Sequence, residues 1–587
     1  MNERKRPLSQ IELERIALAI QNDELEDDEA AESEESETED FTTNEILEDD
    51  EFDAAEPQNT NEESNQCNDV SDNTAASSSS YETENRKAIY AKNGRKWYLK
   101  SFHARNARTA RKNIVLHLPG PKGCLRNLKC IRKIWNSFFT DEILDIIVQY
   151  TNHQINIKRT RYKTAQRYIG ETNVVELRAL LGLLYLSGVM KSAHLTLHDL
   201  FSLELGPPVF RATMCKNRFE FLINCLRFDN KATREERKKQ DKFAATREIW
   251  DIFEGCCRRN YSPSEYVTID ETLLAFRGRC PFKMYIPSKP DKYGLKLVTM
   301  CDSRTFYMCS AKPYIGKEVR EGPFSIPTHY VLNLTKEIQG SNRNCTMDNW
   351  FSSLEVAEKL LELKLTMVGT LRKNKPDIPK QLVETKGKAV QSSMFVHNDQ
   401  STLVSYVPKK NKTVILISTM HTQPDINEHT KKPEMIMFYN ETKGGVDTFD
   451  QLCHSTTVSR KTRRWPLRIF YGMMDIAGIN SYVIYKWNED ADKPVQRSAF
   501  LKQLSMSLVE EHLRGRMNNG RLPREIRSNI RQILKCDEEE VLQRAEGPLG
   551  RCDYCPRAKN RKARNKCEHC KKSVCAEHRL SICVDCK

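Results

Sequence analysis

The chain has 587 residues, enough for several domains with large cores, and its most apolar uninterrupted stretch, Ala179 to Met190, is too short to span a bilayer. The opening residues MNERKRPLSQ lack the apolar core of a secretory signal, and 13 of the 20 cysteines scatter without framework spacing; both features exclude a disulfide-built secreted protein and favour an intracellular one. The formal charge of +13 conceals an asymmetry: residues 1–85 hold 28 acids and four bases, so the other 502 carry 89 bases and 52 acids, or +37. A body that basic expects a polyanionic partner, most simply nucleic acid.

Residues 1 to about 85 are acidic, rich in Ser, Thr and Asn, and nearly free of apolar periodicity. Such a stretch cannot bury enough surface to offset its ordering entropy, so disorder is expected there. A basic end with interleaved aromatics, "RKWYLKSFHARNARTARK" (95–112), leads on from it, and the whole of 1–114 is assigned to this N-terminal region. Helices are predicted at "TDEILDIIVQYTNHQI" (140–155), where Thr140 can cap and acids fill the first turn, and at "KNRFEFLINCLRF" (216–228). "VVELRALLGLLYLSGVM" (174–190) reads as a buried core helix. Near residue 265 the texture turns β-prone: "YVTID" (266–270), "LKLVTMCD" (295–302) and "TFYMCSA" (305–311) are short strands, the last two separated by a tight turn at Ser303–Arg304. "NCTMD" (344–348) is another strand, followed by the helical "NWFSSLEVAEKLLEL". "STLVSYVP" and "TVILIST" are strand-like, "GGVDTFDQL" opens a helix, and "LRIFYGMMDIAGINSYVIYKW" (467–487) is a long apolar helix.

Four acids stand out by their place on these elements. Asp270 and Asp348 end strands; Asp447 falls in the first turn of a helix, with Asp450 one turn on along the same face. Asp302, which also ends a strand, competes with them. Carboxylates brought to one point repel unless a cation is present, and hard oxygen donors suit Mg2+ or Mn2+. Two such ions can activate a hydroxyl and stabilise the leaving oxygen in attack on a phosphodiester. Three consecutive strands, then a strand–helix and a helix-borne acid, fit an RNase H-like nuclease core.

"TIDETLLAFRGRCPFKMYIPSKPDKYGLK", "MDNWFSS" and "YNETKGGVDTFDQ" resemble the signature blocks of piggyBac-type DNA transposases; "SRKTRRWPLRIFYGMMDIAGINSY" and the C-terminal cysteines extend the resemblance, which runs from about 115 to the end. It implies an α+β multidomain protein with an RNase H-like catalytic domain (263–372 and 433–457) and an inserted β-rich domain (373–432). A mostly helical dimerisation and DNA-binding domain (115–262 and 458–540), a linker (541–551) and a cysteine-rich domain (552–587) complete it. It further implies a homodimer on double-stranded DNA, with catalytic Asp270, Asp348 and Asp447 holding two Mg2+ or Mn2+ ions and Asp450 as an accessory acid. The expected chemistry is nicking at the transposon ends, hairpin formation by the freed 3′-hydroxyl, and joining to TTAA sites.

The loop after Asp270 carries Arg277, Arg279, Lys283, Lys289 and Lys292 among three prolines, a stiff basic segment suited to phosphates. Arg372 and Lys375 follow the last core strand, where the resemblance implies target DNA. "SRKTRRWP" (459–466) packs Arg460, Lys461, Arg463 and Arg464 beside Trp465, whose indole could stack on an unpaired base.

In the tail, Cys552/Cys555, Cys567/Cys570, Cys575/His578 and Cys583/Cys586 form four pairs with two residues between the members of each. Eight ligands make two tetrahedral zinc sites. Alternate pairing gives both sites the longer connections, hence Cys552, Cys555, Cys575 and His578 for one Zn2+ and Cys567, Cys570, Cys583 and Cys586 for the other; His569 is a spare. The module's one aromatic, Tyr554, cannot build a methyl-lysine cage. The 11 bases against four acids in 551–587 favour DNA, and "RAKNRKARNK" (557–566) reads as a nuclear localisation signal. Two other readings use the same residues: a transposon-derived DNA-binding protein that no longer cuts, and a chromatin or ubiquitin adaptor built on the finger.

Overall fold

The computed structural model describes residues 87–102, 109–164, 166–287, 289, 291–316, 324–489, 495–519, 521–536, 550–563, 565–567, 570 and 572–578. Eleven strands form one mixed sheet. In chain order they are β1 (Ala88–Tyr90), β2 (Lys96–Tyr98), β3 (Tyr266–Ala275), β4 (Lys283–Tyr285), β5 (Tyr293–Asp302), β6 (Met308–Pro313), β7 (Asn344–Met347), β8 (Thr366–Thr370), β9 (Ser393–His397), β10 (Thr402–Lys409) and β11 (Lys412–Ser418). Across the sheet the order is β1-β2-β9-β10-β11-β8-β7-β3-β5-β4, with β6 also paired to β5. β7 lies between β3 and β8, parallel to both; β3·β5, β5·β6 and β8·β11 are antiparallel.

The helices that matter for the site are α1 (Ile131–Asn136), α2 (Asp141–Arg159), α3 (Val174–Val189), α4 (Pro208–Thr213), α5 (Lys216–Cys225), α6 (Arg247–Asn260), α7 (Leu354–Glu362), α8 (Glu434–Thr442), α9 (Gly445–Ser455), α10 (Trp465–Trp487), α11 (Arg497–Met517) and α12 (Arg524–Leu534). Thr140 caps α2, its hydroxyl accepting from Ile143 N, with Asp141 and Glu142 in the first turn. Helix α10 is apolar on nearly every side and accordingly buried from Leu467 to Ile484 with few breaks. Phe139 and Phe228 pack on its Phe470, with Trp135 and Phe253 behind Phe139, and Tyr185 Oη ties Trp135 Nε1 to the carbonyl of Met474.

Three expectations change here. The basic end of the N-terminal region was expected to lack order, yet 88–98 form a hairpin, β1–β2, whose Tyr98 pairs with His397 of β9. Trp97 is wholly buried, with Nε1 donating to Asp377 O at 3.0 Å, so an aromatic among bases serves as core. The strands expected in a separate insertion, β9 to β11, continue the main sheet through the β11·β8 pairing. The helical segments expected to form one body are divided between two compact units. The larger takes the described residues within Met1–Thr164, Leu184–His194 and Cys225–Ser505; the smaller, those within Ala165–Leu183, Leu195–Asn224 and Met506–Lys587.

In the smaller unit the buried guanidinium of Arg218 donates to the carbonyls of Tyr168, Gly170 and Glu171 and grips the Glu176 carboxylate at 2.6 and 2.8 Å. Removing one partner leaves a buried carboxylate and three carbonyls uncompensated. Arg218→Ala is expected to destabilise this unit by about 3–5 kcal/mol, read as an earlier urea transition for it, with the transition of the larger unit in place. Among the described residues no helix is long and apolar enough to cross a membrane.

Candidate active site

In the parallel pair β3·β7, Ile269 stands opposite Met347, so the next residues, Asp270 and Asp348, lie side by side. Asp348 Oδ1 accepts from the backbone N–H of Trp350 (3.0 Å) and Phe351 (3.4 Å), a turn that fixes the carboxylate as the chain leaves the sheet. Asp270 Oδ1 accepts from Glu271 N at 2.8 Å. Strand alternation puts Thr268, Asp270 and Thr272 on one face of β3, where Thr268 Oγ1 donates to the carbonyl of Thr442 at the end of α8. Helix α9 begins immediately afterwards, very close to the strand: a Cβ on Gly445 would fall 2.3 Å from Thr268 Oγ1 and 3.2 Å from Ser303 Cα. Only glycine admits this approach, and it brings Asp447 and Asp450 to the face of Asp270.

The electrostatics mark these acids as one group. Burial pushes the Asp270 carboxyl up to about 7, with Glu271 and Asp348 adding to the rise. Burial also raises Asp348, again with Glu271 as the strongest acidic neighbour. Asp450 is pushed up to about 7 by burial, against the pull of Lys289 and Arg468. The phenol of Tyr439, on α8, is raised by its own burial and by Asp348, Asp270 and Asp447. Asp447 is open to solvent and meets Lys289 Nζ at 3.2 Å. Lys289 itself is raised: burial opposes its charge, but Asp270, Asp447 and Asp450 outweigh it.

Carboxylates crowded at a half-buried sheet end, with hard oxygen donors and room for solvent, fit a divalent cation such as Mg2+ or Mn2+. Their oxygens do not all lie within 4.8 Å of one another; among the described residues only the cysteine cluster below does so. Lys289 supplies the positive charge among them. The sequence placed Lys289 in a basic segment suited to phosphates; in the DNA-free protein its ammonium faces the acids. Lys289→Met is therefore expected to tighten Mn2+ binding to the DNA-free protein by roughly tenfold, measured by titration calorimetry.

The competing acid Asp302 is structural. Its carboxylate accepts from Ser264 N (2.7 Å), Ser264 Oγ (2.7 Å), Arg304 N (2.8 Å) and Thr305 N (3.2 Å), closing the β5–β6 turn. Glu271 and Tyr439 belong to the acid group and were not singled out from the sequence. Both lie inside the motif blocks, Glu271 next to Asp270 and Tyr439 opening "YNETKGGVDTFDQ", but nothing in their spacing marks them.

Arg277, Arg279, Lys283 and Lys292 are exposed on the loop and strand that follow β3. Arg372 is exposed as well, its Nε donating to Asn349 Oδ1 at 3.2 Å, one residue from Asp348. Lys375 is half-buried. Lys461 and Arg463 face solvent. Arg460 and Arg464 are instead engaged by the protein: Arg460 with Ser192 O (3.2 Å), Arg464 with Leu226 O. Trp465 is half-buried, 5.0 Å edge-to-face from Phe282 and 5.8 Å from Phe243, so its indole is braced from behind.

In the tail, Cys552, Cys555, Cys575 and His578 converge, with all ligand atoms within 4.8 Å. The separations are 3.7 Å for Cys555 Sγ to Cys575 Sγ, and 3.6, 3.5 and 3.3 Å from His578 Nδ1 to the sulfurs of Cys552, Cys555 and Cys575. A tetrahedron with bonds of about 2.0–2.3 Å has edges of this length. The pairing brings the first and third ligand pairs together. Cys567 and Cys570 are described and stand apart from this set; Cys583, Cys586 and His569 lie outside the described residues.

Residues 131–482 match the family model described as Transposase IS4. The chain is similar to human "PiggyBac transposable element-derived protein 3", 22% identical over 399 residues that cover 65% of each protein. It is similar over the same length, at 22% identity, to the human "Chimeric ERCC6-PGBD3 protein", of which it spans 36%. The chain thus spans less than two thirds of either relative. Its fold is similar to that in the cryo-EM structure of a piggyBac transposase synaptic complex with hairpin DNA, with a TM-score of 0.71 and 43% identity, covering 80% of this chain and 100% of that one.

Proposed function

Because this chain belongs to the Transposase IS4 family, and within it to the piggyBac type, we propose that it is a cut-and-paste DNA transposase. It would excise an element through 3′-hydroxyl nicks and hairpin ends and join it at TTAA sites. The observation that carries this reading is the convergence of Asp270, in the middle of β3, and Asp348, just past the end of β7, with Asp447 and Asp450 at the start of α9. The strand order β6-β5-β3-β7-β8, antiparallel and then parallel, supports an RNase H-like core.

Asp270, Asp348 and Asp447 would hold two divalent cations, and Asp450 would stand behind them. When bound, such cations activate a hydroxyl for in-line attack and neutralise the leaving oxygen. The chain's own residues do the rest. The Trp350 and Phe351 amides hold one Asp348 oxygen and leave the other to point outward. Arg277, Arg279, Lys283 and Lys292 bind phosphates along the strand approaching the acids, and Arg372 does so on the far side for the target. Lys461 and Arg463 hold the backbone beside Trp465, whose braced indole receives a base freed when the duplex end bends into a hairpin. Arg460 and Arg464 act from beneath, fixing this segment to the helical body.

The C-terminal module would bind two Zn2+ and read the subterminal transposon DNA, with its basic loop serving nuclear entry as well. The protein would work as a homodimer on paired ends. Incubation of the purified chain with Mg2+ and duplexes carrying its element's ends tests the reading: nicked and hairpin products are expected, and intact duplex under conditions of full DNA binding would leave the binding-only alternative.

A further inference from the structure

Behind the acids, inside the larger unit, lies a cavity of about 20 Å³ lined by Thr272, Thr299, Asp450, Cys453, Arg468 and Asp475, among others. Three polar atoms on this wall are buried and have no hydrogen-bond partner among the described residues: Thr272 Oγ1, Thr299 Oγ1 and Arg468 Nη1. Thr272 is 5% exposed, Thr299 1% and Arg468 7%, so bulk water does not serve them. Native proteins seldom leave such groups unmet, and a space of this size with three polar neighbours is what a buried water requires.

The surroundings say what that water would join. Arg468, on α10, donates through Nε to the carbonyl of Ala275, the last residue of β3, at 3.0 Å. Asp475 lies two turns along the same helix and is held by Thr457 Oγ1 (2.7 Å) and Val458 N (2.8 Å). Arg468 and Asp475 attract each other, yet no direct ion pair joins them across the cavity. Asp450 approaches from α9, and both the Arg468 charge and the neighbouring Thr272 hydroxyl favour its carboxylate. Strand β3, helix α9 and helix α10 therefore meet at one enclosed polar point.

We propose that Arg468 is a positioning residue that holds Asp450, and with it helix α9 and Asp447, in register with Asp270 through a single buried water. That water accepts from Arg468 Nη1 and from a threonine hydroxyl and donates to the Asp450 carboxylate. The sheet fixes Asp270 by backbone pairing and the turn after β7 fixes Asp348, but α9 belongs to no ladder. Its acids need another constraint, and the Arg468 fork supplies one: Nε on the strand, Nη1 on the water.

The inference rests on the reading of Asp270, Asp348 and Asp447 as the reacting centre, and the experiment separates the two. Thr299→Val keeps the side-chain volume and removes one hydroxyl; Arg468→Gln removes the fork. In the full chain each is expected to slow hairpin formation about tenfold, the effect of one lost buried hydrogen bond, with end binding within about twofold of wild type. The double variant is expected to be no slower than Arg468→Gln alone, since both remove the same water. Hydrogen exchange gives a readout independent of activity: the amides of 448–453 should exchange faster in Thr299→Val than in wild type. Unchanged exchange and unchanged hairpin rate in Thr299→Val, alongside an inactive Asp348→Asn, overturn the inference and leave the active-site reading standing. Full activity in Asp348→Asn overturns that reading, and the exchange data alone then decide whether the water pins α9.

Discussion

Asp348→Asn is expected to abolish nicking and hairpin formation, lowering the cleavage rate by roughly 100- to 1,000-fold, the several kcal/mol a bound metal's charge contributes to such a step. The geometry makes this substitution nearly isosteric. The side-chain amide that replaces the carboxylate would keep one oxygen to accept from the Trp350 and Phe351 N–H groups, so the turn after β7 survives and only the charge is lost. DNA-end binding should stay within about twofold, because the bases proposed to bind phosphates stand on other segments. The DNA-free protein should also melt slightly higher, by about 2–4 °C, since the change removes one of several crowded like charges that burial and Glu271 already disfavour. Loss of cleavage with a lower melting temperature would point to damage to the fold; equal cleavage by both proteins would remove Asp348 from the active centre.

The second large effect concerns the tail. Cys575→Ser is expected to reduce bound zinc by one ion per chain and to weaken binding of the subterminal DNA by at least tenfold. Cys575 lies within 3.7 Å of Cys555 Sγ and 3.3 Å of His578 Nδ1, so its loss opens a site whose other cysteine ligands come from residues some twenty positions earlier. In a module with little apolar core, the metal supplies most of the folding energy. Nicking of short duplexes that carry only the cleavage site should persist. Zinc loss with undiminished DNA-end binding would remove the recognition role from this module.

Much of this was legible in the sequence because local rules settled it. The strand end at Asp348 follows from a short β-prone run that stops at an acid, and the start of α9 follows from Gly444–Gly445; Asp270, expected to end its strand, instead lies in the middle of β3, whose pairing with β5 continues to Ala275. The four-ligand cluster follows from spacing alone, since only alternate pairing spares a tight connection. What could not be read depends on contacts between distant segments. Nothing local marks Trp97, an aromatic among bases, as core, because its partner, the carbonyl of Asp377, is 280 residues away. Lys289 looked like one phosphate contact among five, and only the approach of α9 to β3 shows it facing acids. Arg468 is unmarked at the start of the long apolar helix 467–487. Its burial depends on β3, α9 and α10 meeting, which no periodicity encodes.

The Lys289 ammonium has a thermodynamic consequence. While it neutralises Asp270, Asp447 and Asp450, it competes with any divalent ion for the same negative field. An incoming phosphate offers it another partner, and each move towards that phosphate makes room for the ion. Metal and DNA should then bind with positive cooperativity, and linkage requires the coupling to be reciprocal: whatever factor DNA adds to metal affinity, metal adds to DNA affinity. Such a protein keeps its acids quiet in the absence of its substrate, and a Lys289→Met variant in which the two affinities become independent would locate the coupling in that one side chain.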